Sequence, residues 1–249
     1  MRIDVWSDVV CPWCYIGKRR LEKALAAFDE AHPESDIEVV WRSFELDPAA
    51  PVVPVESVAE ALGRKYGGGL EAGRSMVDRV EAVAAEEGMI WRHHSSLRVN
   101  TVTAHRLLHW ALHEGGPALQ GRLKQALLAA YFEQERNVAD RETLVELAVS
   151  VGLDEARARQ VIQSREFADE VEADVRQAAA LGATGVPFFV IDERYGISGA
   201  QPMEFFAQVI ERAWNESRPA ISVLTPEVEE GTARHETPVD ACGPDGCAL

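Results

Sequence analysis

The apolar and polar positions change their period several times along the chain. Residues 2–7 alternate in the period-two manner of a short strand. From Pro12 the spacing becomes helical: Leu21, Ala24, Leu25 and Phe28 fall at i, i+3, i+4 and i+7. That helix is expected to stop near His32-Pro33. Residues 37–44 (Ile-Glu-Val-Val-Trp-Arg-Ser-Phe) then read as a second strand. The opening unit is therefore strand, helix, strand. A proline-rich connection follows at residues 47–56.

A long helical block is expected over about residues 57–181. Met76, Val80, Val83 and Ala84 line one face. Ala104, Leu107, Leu108 and Ala111 line another, and Leu144, Leu147, Ala148 and Val151 a third. Gly152 reads as a stop and Asp154 as the next cap. Phe167, Val171, Val175 and Ala178 mark a last helix, which ends near Gly182. Strand character returns at 187–191. A turn at 192–194 sends the chain back through 195–198 as a hairpin. Pro202 opens a final helix carrying Phe206, Val209, Ile210 and Ala213 on one face.

The order is βαβ, helical block, ββα. It predicts an α/β protein of thioredoxin-like plan: a four-stranded mixed sheet with covering helices and a large all-helical insertion. The sheet domain would be built from residues 1–56 and 182–216, with the insertion at 57–181. Residues 217–249 lose periodicity, are rich in Pro, Thr and Glu, and read as a flexible acidic tail. The full length of 249 residues is ample for this plan.

Charge narrows the function. Lys and Arg number 25 against 41 Asp and Glu, giving −16, which argues against a nucleic acid partner. No apolar run approaches the roughly 20 residues of a membrane-spanning helix. The N-terminal residues lack the basic, apolar and cleavage regions of a secretory signal, so a cytoplasmic location is expected. Thiols stay reduced there, and close cysteine pairs then serve redox or metal chemistry more often than structure.

The chain has four cysteines. Cys11-Pro12-Trp13-Cys14 falls at the first strand-to-helix junction. A helix N-terminus presents unpaired N–H groups and a positive dipole end, both of which favour a thiolate. Cys11 is expected to be the more exposed sulfur and the nucleophile, and Cys14 the resolving thiol. Pro12 stiffens the turn. Trp13 offers an apolar face to a substrate without adding positive charge, so Cys11 should be less acidic than in strongly oxidising enzymes. Val186-Pro187 precedes a strand, where a cis bond would leave Val186 backbone groups free to pair with an extended substrate. Asp8 is a candidate acceptor for the Cys14 proton, or simply a solvated strand-end residue.

Other motifs carry weaker signals. Adjacent His93 and His94 lack a suitably spaced third ligand, so no metal site is expected. Asn100 or Thr101 should cap the helix bearing His105 and His109 at i, i+4. Cys242 and Cys247 flank a Pro-Asp-Gly turn that brings their sulfurs together. They read as an electron shuttle to the first pair, half of a four-thiolate zinc site, or two idle thiols.

The stretches "SDVVCPWCYIGKRRLEKAL", "NTVTAHRLLHWA" and "TGVPFFVIDERYGISGAQP", with the terminal CxxxxC, resemble the DsbA family, in its FrnE-like cytoplasmic branch. The resemblance implies a thioredoxin domain with a helical insertion and dithiol–disulfide exchange. Cys11 and Cys14 match the family's redox pair and Pro187 its cis-proline. It also places His105 near the redox site, bordering a substrate pocket. Trp13 stands where the better-known periplasmic members carry His, which argues against a dedicated oxidant.

The expected activity is reduction or isomerisation of protein or small-molecule disulfides, with no cofactor beyond an external thiol reductant. Two rival readings follow. One is a small-thiol-dependent isomerase or transferase, resembling 2-hydroxychromene-2-carboxylate isomerases and kappa-class glutathione transferases. Those typically carry Ser at the first cysteine. The other is a holdase chaperone using the apolar surface around Trp13.

Overall fold

The computed structural model describes residues 1–217. The acidic tail, with Cys242 and Cys247, lies outside the described residues. Four strands form one sheet: β1 (Arg2–Ser7), β2 (Glu38–Ser43), β3 (Phe188–Ile191) and β4 (Tyr195–Ser198), in the order β2-β1-β3-β4. β1 runs parallel to β2 and antiparallel to β3, and β3 is antiparallel to β4. The parallel pair requires a crossover, and α1 (Pro12–Ala31) supplies it. The β3–β4 turn places Asp192 and Glu193 at positive φ, 46° and 55°. Two consecutive positive φ values match the right-handed twist of a tight hairpin.

Both faces of the sheet are covered. Ile3, Val5, Phe189 and Ile197 pack on α1 and on α8 (Met203–Ser217) through Leu21, Ala24, Phe28, Phe206 and Ile210. Burying each such large side chain contributes about 1.5–3 kcal/mol. Trp6 and Val190 point to the opposite face, against Ala178 of α7 (Ala168–Ala180).

The helical insertion comprises α2 (Val58–Tyr66), α3 (Gly69–Glu86), a short 3₁₀ turn at His93–Ser95, α4 (Val102–Phe132), α5 (Arg141–Ser150), α6 (Glu155–Gln163) and α7. Ser57 caps α2 in a reciprocal capping box with Glu60. Asp140 caps α5 and Asp154 caps α6, each accepting from a backbone N–H three residues on. Thr101 is the cap residue of α4 but offers no side-chain bond. Asn100 Oδ1 accepts the Val102 N–H instead.

α4 is two helical halves joined at Gly115-Gly116-Pro117. Gly116 takes φ 67°, ψ −168°, a region open essentially to glycine alone. The break lets the two halves fold along the same edge of the sheet. His109 of the first half bonds Ser43 of β2, and Gln120 of the second brackets the Trp41 backbone, accepting from its N–H and donating to its carbonyl. The insertion is thereby joined to the sheet through β2.

Candidate active site

β1 ends at Ser7 and α1 begins at Pro12, with Cys11 as its extended N-cap residue. Proline at the first helical position loses no hydrogen bond, since that N–H has no helical partner. Cys14 follows one turn later. Both thiols are free and both are buried, Cys11 at 3% exposure and Cys14 at 1%. Cys11 is the more exposed of the two, as expected, but only slightly, with the Val186 carbonyl of the loop before β3 lying against its sulfur. Trp13 remains open at 45% exposure, while Pro12 is partly covered.

The Val186-Pro187 bond is cis. The Cys11 thiol donates to the Val186 carbonyl at 3.7 Å. Pro187 sits against Gly17 of α1, where a Cβ would lie 3.1 Å from Pro187 Cγ and 3.2 Å from Phe189 Cζ. A glycine is what allows α1 to approach this loop so closely, and nothing in the sequence pattern singled it out.

Beneath the sulfurs lies a buried ionic cluster. Asp8 is 1% exposed and is not the solvated strand-end residue that was one expectation. Its Oδ2 accepts the Leu46 N–H at 2.8 Å, and its Oδ1 lies 3.3 Å from His105 Nε2. Burial pushes the Asp8 carboxyl up. The His105 bond and charge, the Leu46 amide and the Lys124 charge together outweigh it and hold Asp8 below the usual carboxylate range. His105 is fully buried, and its Nδ1 has no protein partner. Lys124, from the second half of α4, is also fully buried and donates to the Ser7 carbonyl at 3.3 Å. Burial pulls its ammonium down to about 8 against the pull of Cys14, Asp8 and Cys11, with Lys18 reinforcing burial. Neither Lys124 nor Ser7 stood out in the sequence. A lysine is rarely fully buried, and the helical pattern around Leu123 and Leu127 carries no sign that one would be.

The two thiols titrate together. Cys11 is pushed well above the usual thiol value by its hydrogen bond with Cys14, by burial, and by the Cys14 and Asp8 charges. The Cys14 amide opposes this and loses. Burial also pushes Cys14 up. The Cys11 hydrogen bond, the Lys124 charge, the Ser7 hydroxyl and the Asp8 backbone outweigh it, so Cys14 falls below the usual value. The expectation that the helix N-terminus makes Cys11 the anion is thus corrected. Of the two thiols Cys14 gives up its proton the more readily, through the Cys11 hydrogen bond and then the Lys124 charge.

The histidine doublet is placed elsewhere. His93 is a core residue bonded to Ser96, and His94 pairs with Asp78 on the surface. Among the described residues no group of three or more His, Cys, Asp or Glu side chains is arranged to hold a metal ion.

The sequence and fold agree with a known family: the DSBA-like thioredoxin domain model matches residues 2–211. The chain belongs to that family. Within it, the chain is similar to the probable DsbA oxidoreductase SCO1869 from Streptomyces coelicolor, at 45% identity and a TM-score of 0.80 over 100% of this chain and 99% of that one. Two more distant structures share the fold. A 2-hydroxychromene-2-carboxylate isomerase is 12% identical, with a TM-score of 0.63 over 87% of this chain and 98% of its own. The cytosolic disulfide reductase DsbM from Pseudomonas aeruginosa, with GSH, is 18% identical, with a TM-score of 0.59 over 86% of this chain and 100% of its own. No helix among the described residues is long and apolar enough to cross a membrane.

Proposed function

We propose that this DSBA-like chain is a cytoplasmic thiol–disulfide oxidoreductase that reduces or isomerises protein disulfides. The observation that carries the reading is the pair itself: two free thiols in hydrogen-bonding contact at a helix N-terminus, with Cys11 facing the Val186 carbonyl. One proton leaves the hydrogen-bonded pair, and proton exchange between the two sulfurs places the anion on Cys11. Cys11 then attacks a substrate sulfur. A bond forms between Cys11 Sγ and that sulfur, the substrate disulfide breaks, and its second sulfur leaves as a thiolate. Cys14 attacks Cys11 Sγ, releases the first substrate sulfur, and leaves the Cys11–Cys14 disulfide. Two equivalents of a small thiol return the pair to the dithiol, so no cofactor is required.

Val186 and Pro187 dock the substrate backbone beside Cys11, and Pro12 and exposed Trp13 provide an apolar bank. Trp13 adds no cation near Cys11, in keeping with a reductant or isomerase. The cytosolic reductase of the same fold supports this direction and this compartment.

The test is insulin reduction driven by dithiothreitol, comparing the full chain with Cys11→Ser. Turnover in the native chain that disappears in the variant is expected. Absence of turnover in the native chain would sink the proposal and return the small-thiol-dependent isomerase reading, with Cys11 holding a thiol rather than exchanging one.

A further inference from the structure

Lys124 is fully buried, yet among the described residues no carboxylate oxygen lies within ion-pair distance of its Nζ. Buried Lys18, by contrast, pairs directly with Glu22. Lys124 has one acceptor, the Ser7 carbonyl at 3.3 Å, and the Trp41 ring 5.6 Å away. An ammonium carries three donors. Burying it unpaired is strongly unfavourable. Its location therefore needs a counter-charge, and of the groups that face it Cys14 acts most strongly, ahead of Asp8 and Cys11. The Ser7 that holds Nζ through its carbonyl also presents its hydroxyl, otherwise without a partner, to Cys14.

The alternative acceptor for the Cys14 proton is Asp8. Its two oxygens are already occupied by the Leu46 N–H and by His105. Those contacts stabilise its ionised form, which makes it a weak base. Lys124 is not bound in this way.

We infer that Lys124, carried by the helical insertion, is the proton partner of Cys14 in the resolving step. This rests on the dithiol reading above. In the mixed disulfide the Cys14 S–H gives its proton to the neutral Lys124 amine. The sulfur's electron pair forms the bond to Cys11 Sγ, and the bond from Cys11 to the substrate sulfur breaks. The substrate leaves as a thiolate and takes a proton from water. The pair is oxidised by two electrons and the substrate disulfide gains them. In the mixed disulfide both enzyme sulfurs are uncharged, so Lys124 keeps only the Asp8 charge in its favour, with the Lys18 charge against it. It then holds a proton less tightly than in the reduced protein, where its ammonium titrates near 8. The amine is thus available as a base at the moment it is needed, and becomes a counter-ion once Cys14 is an anion.

The experiment follows reaction with 5,5′-dithiobis(2-nitrobenzoate) by stopped flow. The full chain carries Cys242→Ser and Cys247→Ser throughout, so that only the first pair reports. The first nitrothiobenzoate released marks attack by Cys11 and the second marks resolution by Cys14. Lys124→Met is expected to slow the second release at least tenfold at pH 7, with much less change in the first. Its rate should then rise about tenfold per pH unit, tracking the thiolate fraction. The native chain should level off below pH 8, where Lys124 has already lost its proton in the mixed disulfide. Equal second-phase rates and pH profiles in both chains would overturn the inference. A native chain that releases only one equivalent would instead refute the dithiol reading. Should Lys124→Met not fold, lysine side-chain NMR of the native chain decides. One amine titrating near 8 in the reduced protein, and lower after oxidation, is expected. Ordinary lysine behaviour in both redox states would overturn it.

Discussion

At Gly17 a single missing methyl group sets how closely α1 meets the loop that faces the redox pair. Replacing it with alanine puts a Cβ within 3.1 Å of Pro187 Cγ, 3.2 Å of Phe189 Cζ and 3.5 Å of the Ala200 Cα. The ring atoms can give way only by moving Pro187 and Phe189, both buried, and overpacking of this kind typically destabilises by about 1–3 kcal/mol. Gly17→Ala should lower the urea midpoint accordingly, with an unchanged slope. A variant as stable as the native chain would mean that the loop yields freely. The redox pair and the Val186-Pro187 loop were legible because short spacings and proline mark them directly. Gly17, Ser7 and Lys124 were not. Their roles depend on what the fold brings near them, and neither a small residue nor a lysine on a helix announces that in one dimension. The pattern also misled at Cys11. A helix N-terminus favours an anion in principle, but the sequence held no sign of the competing cation on the Cys14 side.

At the scale of elements, strand and helix identities followed from period and caps. The helical block was legible as helices, and Asp154 as a cap, because those signals are local. The Gly115-Gly116-Pro117 break in α4 carried a signal too, two glycines before a proline. Its consequence, two halves that each reach β2, is tertiary. The contact between α3, the 3₁₀ turn and the end of α4 contains a further titrating group. His93 is 2% exposed, set edge-on to Trp91 and Tyr131 and tilted against Phe132, and pulled down to about 4 by burial and by the neighbouring His94 charge. Its folded value lies below the unfolded value of 6.5. Between those two pH values the unfolded chain binds a proton that the folded chain refuses, so stability falls as pH drops from 6.5 toward 4 and is fully present above 6.5. The gap corresponds to about 3 kcal/mol at 1.36 kcal/mol per pH unit. Denaturation midpoints measured from pH 7 to pH 4.5 should therefore fall less steeply in His93→Phe than in the native chain. Parallel curves would place the acid sensitivity elsewhere.

Across the whole molecule, one buried carboxylate joins the insertion to the sheet. Asp174, on α7, is 3% exposed and lies on a helix face that the sequence pattern reads as apolar. Its Oδ2 accepts the Ser43 N–H at 2.7 Å and lies 3.0 Å from His109 Nε2, its Oδ1 lies 3.3 Å from Arg42, and its carbonyl accepts the Trp6 indole at 2.9 Å. β1, β2, α4 and α7 thus meet at a single residue, on the side of the sheet from which α4 also delivers His105 and Lys124 to the redox pair. Asp174→Leu would keep the branched shape but leave the Ser43 N–H without its acceptor, His109 with Ser43 Oγ alone and Arg42 with Asp4 alone. Breaking one side of a buried charged network typically destabilises by about 3–5 kcal/mol. Asp174→Asn keeps an acceptor and should lose less. Hydrogen exchange distinguishes how the loss spreads. If residues 1–217 open as one unit, protection should fall together at β2, α4 and α7 in Asp174→Leu. A fall confined to α7, with β2 unchanged, would mean that the insertion and the sheet open separately. The redox pair would then depend on α4 alone for its buried cation.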